Sequence, residues 1–168
     1  MLGNALFADG SGAVVLGATD TNGKREARRW RLAATGSYVF PNTSNAMTWN
    51  IGDHGFEMAI STELPRLIAE NLDVWLSQWL KQHGLRVDEI RLWAIHPGGP
   101  RIIEAVESAM KLTSGQTAIS RQVLSKHGNM SSATVLFILQ SMFYDDIGPP
   151  CVMLGFGPGL VAEVALFT

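Results

Sequence analysis

LWAIHPGGP, residues Leu92–Pro100, is the segment that determines the fold expected for this chain. Its first four residues are apolar without a break, too short a run for a helix, and are typical of a strand buried on both faces. The strand delivers His96 to a proline- and glycine-rich turn, and Arg101–Val106 then begins a helical pattern. Open α/β sheets bind ligands at the carboxyl ends of their strands, so the position of His96 is consistent with a role in a binding or active site. The alternative is that His96 simply ends the strand and hydrogen-bonds to a nearby carbonyl.

Length and composition indicate one globular domain. The predicted domain spans residues 1–168, the whole chain, and is large enough to bury a stable core without disulfides or metal ions. Hydrophobic residues make up 46% of it. The formal net charge of −2 gives no electrostatic reason to expect nucleic acid or an anionic membrane surface as a partner. The basic segment Lys24–Arg31 is interpreted as a solvated loop.

Cys151 is the single cysteine, so no disulfide framework exists and a reducing compartment is expected. No apolar run approaches the ~18 residues of a membrane span, and the N-terminus lacks the plan of a signal peptide. We therefore expect a cytoplasmic protein. The chain begins almost directly in structured-looking sequence, as a segment of a larger protein would.

Hydrophobic periodicity predicts alternating strands and helices, and hence an α/β layered domain. The expected strands are Val14–Ala18, Trp30–Phe40, Phe56–Ile60, Leu92–Ile95, Cys151–Leu154 and Leu160–Thr168. The expected helices are an amphipathic one that Thr62 N-caps and that ends at His83-Gly84, then Pro100–Leu112, Ser120–Lys126 and a mostly apolar one over Met130–Phe143. Gly155–Gly159 is interpreted as a shaped turn between strands, because no helix follows it.

Two kinds of active site are poorly supported by the sequence. The four histidines are scattered and show no paired metal-ligand spacing, so no metal site is predicted. No Gly-x-Ser-x-Gly elbow of a serine hydrolase occurs. His54 beside Asp53 is assigned to a surface loop, because adjacent residues of an extended chain point in opposite directions.

His96 at a strand end and Asn129 at a helix start form the sharper constellation, with Gly155–Gly159 as a wall. An imidazole and a carboxamide can both donate hydrogen bonds to one oxygen, and the loss of one such donor typically costs ~10²–10³ in rate. The alternative is a buried histidine and a helix-capping asparagine that never meet. Spacing alone leaves both interpretations open.

Three motifs together resemble the chalcone and stilbene synthase family, the type III polyketide synthases. They are WAIHPGGP at 93–100, GNMSSA at 128–133 and GFGPGL at 155–160. ALFADGSGA at 5–13 also fits the start of that family's C-terminal half, so the resemblance covers essentially the whole chain. It implies an α/β domain that is the C-terminal half of a thiolase-like fold, with a mixed sheet layered with helices.

The resemblance also implies an activity and a set of site residues. Enzymes of this family load an acyl group from a CoA thioester onto a cysteine, decarboxylate malonyl-CoA and extend the chain by Claisen condensation. His96 resembles their catalytic histidine, which pairs with the thiolate and donates to the thioester carbonyl, and Asn129 resembles the second donor. Substrate or CoA contacts are implied at Arg101 through its backbone, Ser131 through its hydroxyl, Met58 at a gatekeeper position, and Phe156 and Pro158 as cavity walls. The resemblance implies acyl-CoA and malonyl-CoA as substrates and no cofactor. It also implies that the protein is a homodimer.

The family's nucleophilic cysteine belongs to an N-terminal half that this sequence does not contain. Cys151 lies in an apolar strand and is predicted to be a core thiol rather than its replacement, so this acyltransferase domain is expected to be inactive alone. Met58 in place of a phenylalanine, and Trp49 where a small residue is common, favour a bacterial-type synthase with a fatty or other acyl starter. The alternatives are a ketoacyl synthase III or hydroxymethylglutaryl-CoA synthase relative, and a non-catalytic fragment that binds or dimerises.

Overall fold

The computed structural model describes residues 6–18, 30–145 and 147–168 of the chain, so residues 24–29 of the basic segment lie outside it. The strands are β1 (Leu32–Val39), β2 (Met47–Gly52), β3 (Gly55–Ile60), β4 (Leu92–Ile95), β5 (Cys151–Gly157) and β6 (Val161–Phe167). The helices are α1 (Leu64–Gln82), α2 (Pro100–Met110), α3 (Ala118–His127) and α4 (Ala133–Tyr144), with a short 3₁₀ turn at Val87–Glu89. The predicted α/β domain is confirmed.

Four strands form a mixed sheet in the order β1-β6-β5-β4. β6 pairs antiparallel with both β1 and β5, whereas β4 runs parallel to β5. The parallel pair follows from the sequence, since the long connection between the two strands holds three helices, as a parallel crossover requires. β2 and β3 form a separate antiparallel hairpin.

Helices cover both faces of this sheet. The sheet separates the core into two clusters, one on each face. Trp93 and Ile95 of β4 pack with α1 and α2 in the first cluster. Leu92 and Ala94 point to the opposite face and pack with α3 and α4 in the second. Side chains alternate along a strand, so a strand with four buried residues needs cover on both sides. This arrangement confirms the sequence interpretation of Leu92–Ile95 and places the end of β4 between the two layers.

The long amphipathic helix is confirmed, but its predicted N-cap is wrong. Glu63, not Thr62, is the N-cap residue, and no side chain caps the helix. The Ser61 hydroxyl accepts a hydrogen bond from the Glu63 N–H (3.1 Å) just before the helix. At the other end Gly84 has φ +75°, the backbone conformation for which glycine is favoured after a helix.

Two further sequence predictions need correction, and one strand was not predicted. Residues 14–18 form no strand, and Val15 is 96% exposed, because no described strand lies beside this segment to pair with it. Met47–Gly52 was not predicted as a strand, yet it pairs with β3 in a hairpin whose turn carries the exposed His54. The glycine-rich turn is shorter than predicted: β5 continues to Gly157, because Gly155 and Gly157 keep their pairing with β6.

None of the helices in the described parts of the chain is long and apolar enough to cross a membrane. Within the same residues, no three potential His, Cys, Asp or Glu ligands come together as a metal site would require.

Candidate active site

A cavity of about 190 Å³ opens at the carboxyl end of β4, where α/β sheets present their ligand sites. The cavity brings together six of the seven predicted site residues: His96, Asn129, Ser131, Met58, Phe156 and Pro158. No Asp, Glu, Lys or Arg belongs to the described lining, which is largely apolar. Polar groups of the lining therefore act in a poorly screened environment.

Arg101 is the predicted site residue that does not reach this cavity. It lies in the first turn of α2, directly after Pro100, and its side chain is exposed. The predicted contact was to be made through the backbone, and nothing in the structure tests it.

His96 is held by its backbone at the point where β4 ends. Its N–H donates to the Leu154 carbonyl (2.7 Å), extending the parallel pairing by one residue, and its carbonyl accepts from the Gly98 N–H (3.1 Å). The Nδ1 atom is buried and has no hydrogen-bond partner among the described residues. The other ring nitrogen, Nε2, is not among the buried unpartnered atoms, and His96 lines the cavity.

Burial lowers the pKa of His96 below its ordinary value of 6.5. No carboxylate lines the cavity to counter this effect. The imidazole is therefore neutral near pH 7. Since a neutral ring carries one proton, a proton on Nε2 makes it a hydrogen-bond donor to the cavity and leaves Nδ1 as an unpaired acceptor.

Asn129 follows α3 and is fixed by both its backbone and its side chain. Its N–H donates to the Leu6 carbonyl (2.8 Å), and its carbonyl accepts from the Ala8 N–H (2.9 Å). Asn129 Oδ1 accepts from the Ser131 N–H (2.9 Å). This bond assigns the oxygen of the amide, so the NH₂ group is the free donor of this side chain. At 3% exposure, Asn129 is an almost fully buried polar residue.

The loop around Asn129 uses backbone conformations that few residues adopt. Gly128 has φ +72° and ψ −168°, a region essentially restricted to glycine. Ser131 has φ +55°, in the left-handed region, where the hydrogen bond from its N–H to Asn129 Oδ1 stabilises it. The Thr134 hydroxyl accepts from the Met130 N–H (2.8 Å) and connects this loop to the start of α4.

One face of the β2–β3 hairpin forms another wall of the cavity. Trp49 lies opposite Met58, and Met47 lies opposite Ile60, and all four side chains line the cavity. Sequence reasoning found Met58 through the resemblance but missed Met47 and Ile60. Alternate residues of a strand share one face, and the apolar residues Met47, Trp49 and Ile51 of β2 recur at every second position. This period of two was the sequence signal that could have identified this wall of the cavity.

The turn after β5 completes the site with Phe156 and Pro158. Gly159, with φ +73°, donates its N–H to the Met47 carbonyl (2.7 Å), and its carbonyl accepts from the Thr43 hydroxyl (3.0 Å). The turn is thus tied to the hairpin that faces it. Phe7, from the segment beside Asn129, also lines the cavity and was not singled out from the sequence.

Cys151 lies at the start of β5, at the far end of the strand from Gly157, and is fully buried in the second core cluster. Burial raises the pKa of its thiol to about 12. A thiol with this pKa carries almost no thiolate near neutral pH and is a poor nucleophile. The prediction of a core thiol agrees with this placement.

Comparison with known proteins identifies the family. The chain matches the model described as chalcone and stilbene synthases, C-terminal domain, over residues 31–168. It is 37% identical over 169 residues to the 1,3,6,8-tetrahydroxynaphthalene synthase of Streptomyces peucetius subsp. caesius, covering 99% of this chain and 45% of that protein.

Two solved structures have the same fold. PKS-I from the brown alga Ectocarpus siliculosus matches with a TM-score of 0.80 and 30% identity, over 89% of this chain and 41% of that one. The 1,3,6,8-tetrahydroxynaphthalene synthase of Streptomyces coelicolor A3(2), a bacterial type III polyketide synthase, matches with a TM-score of 0.76 and 28% identity, over 82% and 40%.

This chain therefore belongs to the chalcone and stilbene synthase family of type III polyketide synthases, within which it corresponds to the C-terminal domain. Its fold is the C-terminal half of a thiolase-like fold. Both the recognition and the fold predicted from the motifs are confirmed. The chain spans less than half the length of the relatives it matches.

Proposed function

We propose that this chain is the C-terminal part of a type III polyketide synthase that condenses malonyl-CoA, with loss of CO₂, onto an acyl-CoA starter. The observation that carries the proposal is that His96 and Asn129 line one apolar cavity, each with a side-chain nitrogen that has no described hydrogen-bond partner. Membership of the family supports the same reaction.

The two donors would act on one oxygen. Cleavage of the bond between the α-carbon and the carboxylate of malonyl-CoA releases CO₂ and leaves an enolate whose charge is concentrated on the thioester oxygen. Hydrogen bonds from His96 Nε2 and the Asn129 amide would stabilise that oxygen, and fixed donors in a dry cavity are effective because they need no reorganisation. The enolate carbon then attacks the starter thioester, forming a carbon–carbon bond and releasing thiolate.

A neutral imidazole suits this role. Burial lowers the pKa of His96, and no carboxylate lines the cavity to raise it again, so the ring is neutral at pH 7. The apolar lining favours decarboxylation for a related reason, since the carboxylate of malonyl-CoA is poorly solvated there while the CO₂ product is not charged.

The nucleophile that holds the starter would come from an N-terminal half, since Cys151 is buried and protonated. Exposed apolar side chains support such a partner: Val15 is 96% exposed, and Ile51 and Phe56 continue the apolar face of the hairpin into solvent. An apolar face of this kind is costly to leave in water. The proposal extends to a cytoplasmic homodimer that uses CoA thioesters and no cofactor.

The lining also suggests the class of starter. Trp49 and Met58 line the cavity from the hairpin side, and the polar side-chain groups are those of His96, Asn129 and Ser131 with the indole N–H of Trp49. A fatty or other apolar acyl group fits such walls better than a starter with several hydroxyl groups, each of which would need a partner.

The test uses the full-length protein that carries this domain, with malonyl-CoA and a series of acyl-CoA starters. Release of CO₂ and formation of condensed products are followed separately, by gas analysis and mass spectrometry. His96→Ala and Asn129→Ala should each lower both activities by about 10²–10³. Asn71→Ala and His83→Ala are the matched controls, because both residues are exposed on or just after α1.

Retention of activity by His96→Ala, within about twofold of the unmodified protein, would refute the proposed site. Formation of a single β-ketoacyl or hydroxymethylglutaryl product, with no iterative extension, would favour the ketoacyl synthase III or hydroxymethylglutaryl-CoA synthase alternative. Absence of turnover with every starter, together with self-association in sedimentation experiments, would favour a binding or dimerisation domain.

A further inference from the structure

Ser120 is a fully buried hydroxyl that belongs to none of the motifs above. It lies in the first turn of α3, and its Oγ accepts a hydrogen bond from the Ile95 N–H (3.0 Å). The same hydroxyl donates to the Trp93 carbonyl (3.3 Å). One side chain of α3 thus bridges two backbone groups of β4.

The need for this bridge follows from the sheet. β4 is the edge strand in the order β1-β6-β5-β4, so the backbone groups of Trp93 and Ile95 that face away from β5 have no strand partner within the described residues. Both residues are fully buried, and water cannot reach those groups. Ser120 supplies the hydrogen bonds that a neighbouring strand would otherwise provide.

The bridge joins the two elements that present the proposed donors. His96 is the residue directly after Ile95, at the end of β4. Asn129 follows the end of α3 by two residues, and a helix is rigid along its axis. A displacement of α3 along β4 would therefore change the separation of His96 and Asn129 in the cavity.

A second contact holds α3 at its other side. Arg121, next to Ser120, donates to Glu107 of α2 (2.6 Å), and the Thr117 hydroxyl donates to the same carboxylate. This ion pair is partly buried, with Glu107 side-chain exposure of 15%. It connects α3 to the helix that starts just after His96, but it does not touch β4. Among the described residues of α3, Ser120 is the one whose side chain hydrogen-bonds to the strand itself.

We infer that Ser120 is a positioning residue, which sets the separation between His96 and Asn129 by fixing α3 to the edge of β4. The inference rests on the proposed function of these two residues. Losing the hydroxyl leaves the Ile95 N–H unpaired and frees α3 to move. Because a misplacement of about 1 Å in a reacting group can cost ~10² in rate, we expect Ser120→Ala to lower kcat by about 10–100-fold while KM stays within about twofold.

The experiment compares Ser120→Ala with two variants of the full-length protein. Ser120→Thr keeps the hydroxyl and should restore kcat to within about fivefold of the unmodified protein. Val123→Ala is the matched control, since Val123 is buried on the same helix and its truncation loosens packing without removing a hydroxyl. It should lower the melting temperature but leave kcat nearly unchanged at a temperature where all variants are folded.

Crystal structures of the unmodified protein and of Ser120→Ala give a readout that does not depend on turnover. The distance from His96 Nε2 to Asn129 Nδ2 should change by about 1 Å. Equal kcat values for Ser120→Ala and Val123→Ala, or an unchanged distance, would overturn the positioning role. If the unmodified protein does not turn over malonyl-CoA, the proposed function fails, and the distance alone decides the role of Ser120.

Discussion

Replacement of Gly128 by alanine should both destabilise the domain and disturb the proposed site. Gly128 adopts φ +72° and ψ −168°, where a residue with a side chain is strained by about 1–3 kcal/mol. A Cβ atom there would lie 3.0 Å from the Leu6 carbonyl oxygen and 3.1 Å from the Ala8 Cβ. Backbone strain and close contact act together, so we expect a loss near the upper end of that range, about 3 kcal/mol.

The displaced groups are the ones that hold Asn129. Leu6 accepts from the Asn129 N–H, and Ala8 donates to its carbonyl, so relief of the contact at Gly128→Ala must weaken one or both hydrogen bonds. We therefore expect condensation activity of the full-length protein to fall by about 10-fold or more, through a change in the position of the amide donor.

Gly84→Ala is the matched control for this change. Gly84 also has a positive φ, +75°, but an added Cβ would meet nothing within 4 Å. The control should cost about 1–2 kcal/mol from the backbone alone and should leave activity unchanged. Urea unfolding followed by circular dichroism gives both free energies of unfolding, and about 3 kcal/mol corresponds to roughly 6–12 °C in melting temperature for a chain of this size.

Equal destabilisation by the two alanine variants would refute the reasoning. It would mean that the segment around Leu6 moves away from residue 128 at no cost. Gly128→Ala with full activity would separately show that the Leu6 and Ala8 hydrogen bonds do not position Asn129.

Three further predictions follow from the cavity and the core. Cys151, with its pKa raised to about 12 by burial, should resist iodoacetamide at pH 8 in the native protein and react on denaturation; stoichiometric native labelling would contradict the assignment. Because burial lowers the pKa of His96, the unfolded chain binds more protons than the folded one as pH falls through about 6.5, so the free energy of unfolding should decrease there, and His96→Gln should flatten that part of the profile. A histidine variant with an unchanged profile would show that His96 is not desolvated. Trp49→Ala should enlarge the cavity and shift kcat/KM towards longer acyl-CoA starters by about 10-fold, measured in competition assays, whereas an unchanged preference would mean that Trp49 does not limit the starter.

The elements with strong periodicity could be predicted from the sequence. The stripe of apolar residues in α1 and the unbroken run of β4 each give a pattern that matches one secondary structure and one depth of burial. The hairpin strand Met47–Gly52 was missed although its apolar residues alternate, because six residues with no fully buried position give a weaker signal than a long run. The prediction of a buried strand at Val14–Ala18 is wrong for the opposite reason. An apolar run is buried only if another part of the structure covers it, and this run is exposed.

Some residues of the candidate site could likewise be predicted from the sequence, and others could not. His96 and Asn129 could be proposed from sequence because a strand end and a helix start are local signals, although the helix predicted from Met130 begins only at Ala133. Phe7, Met47 and Ser120 lie at the site or support it through contacts between segments far apart in the chain, which no local pattern encodes. The backbone contact that the resemblance implies for Arg101 stays a prediction, because Arg101 lies outside this cavity.

The short pairing between Phe7 and Asn129 also affects where the domain can be cut. Similarity to the family domain begins at residue 31, but residues 6–8 make the hydrogen bonds that fix the asparagine. A polypeptide excised at the boundary of sequence similarity would contain all six strands and four helices that the structure describes but would lack the anchor of one proposed donor. The boundary for expressing an intact site therefore lies upstream of the boundary that sequence similarity marks.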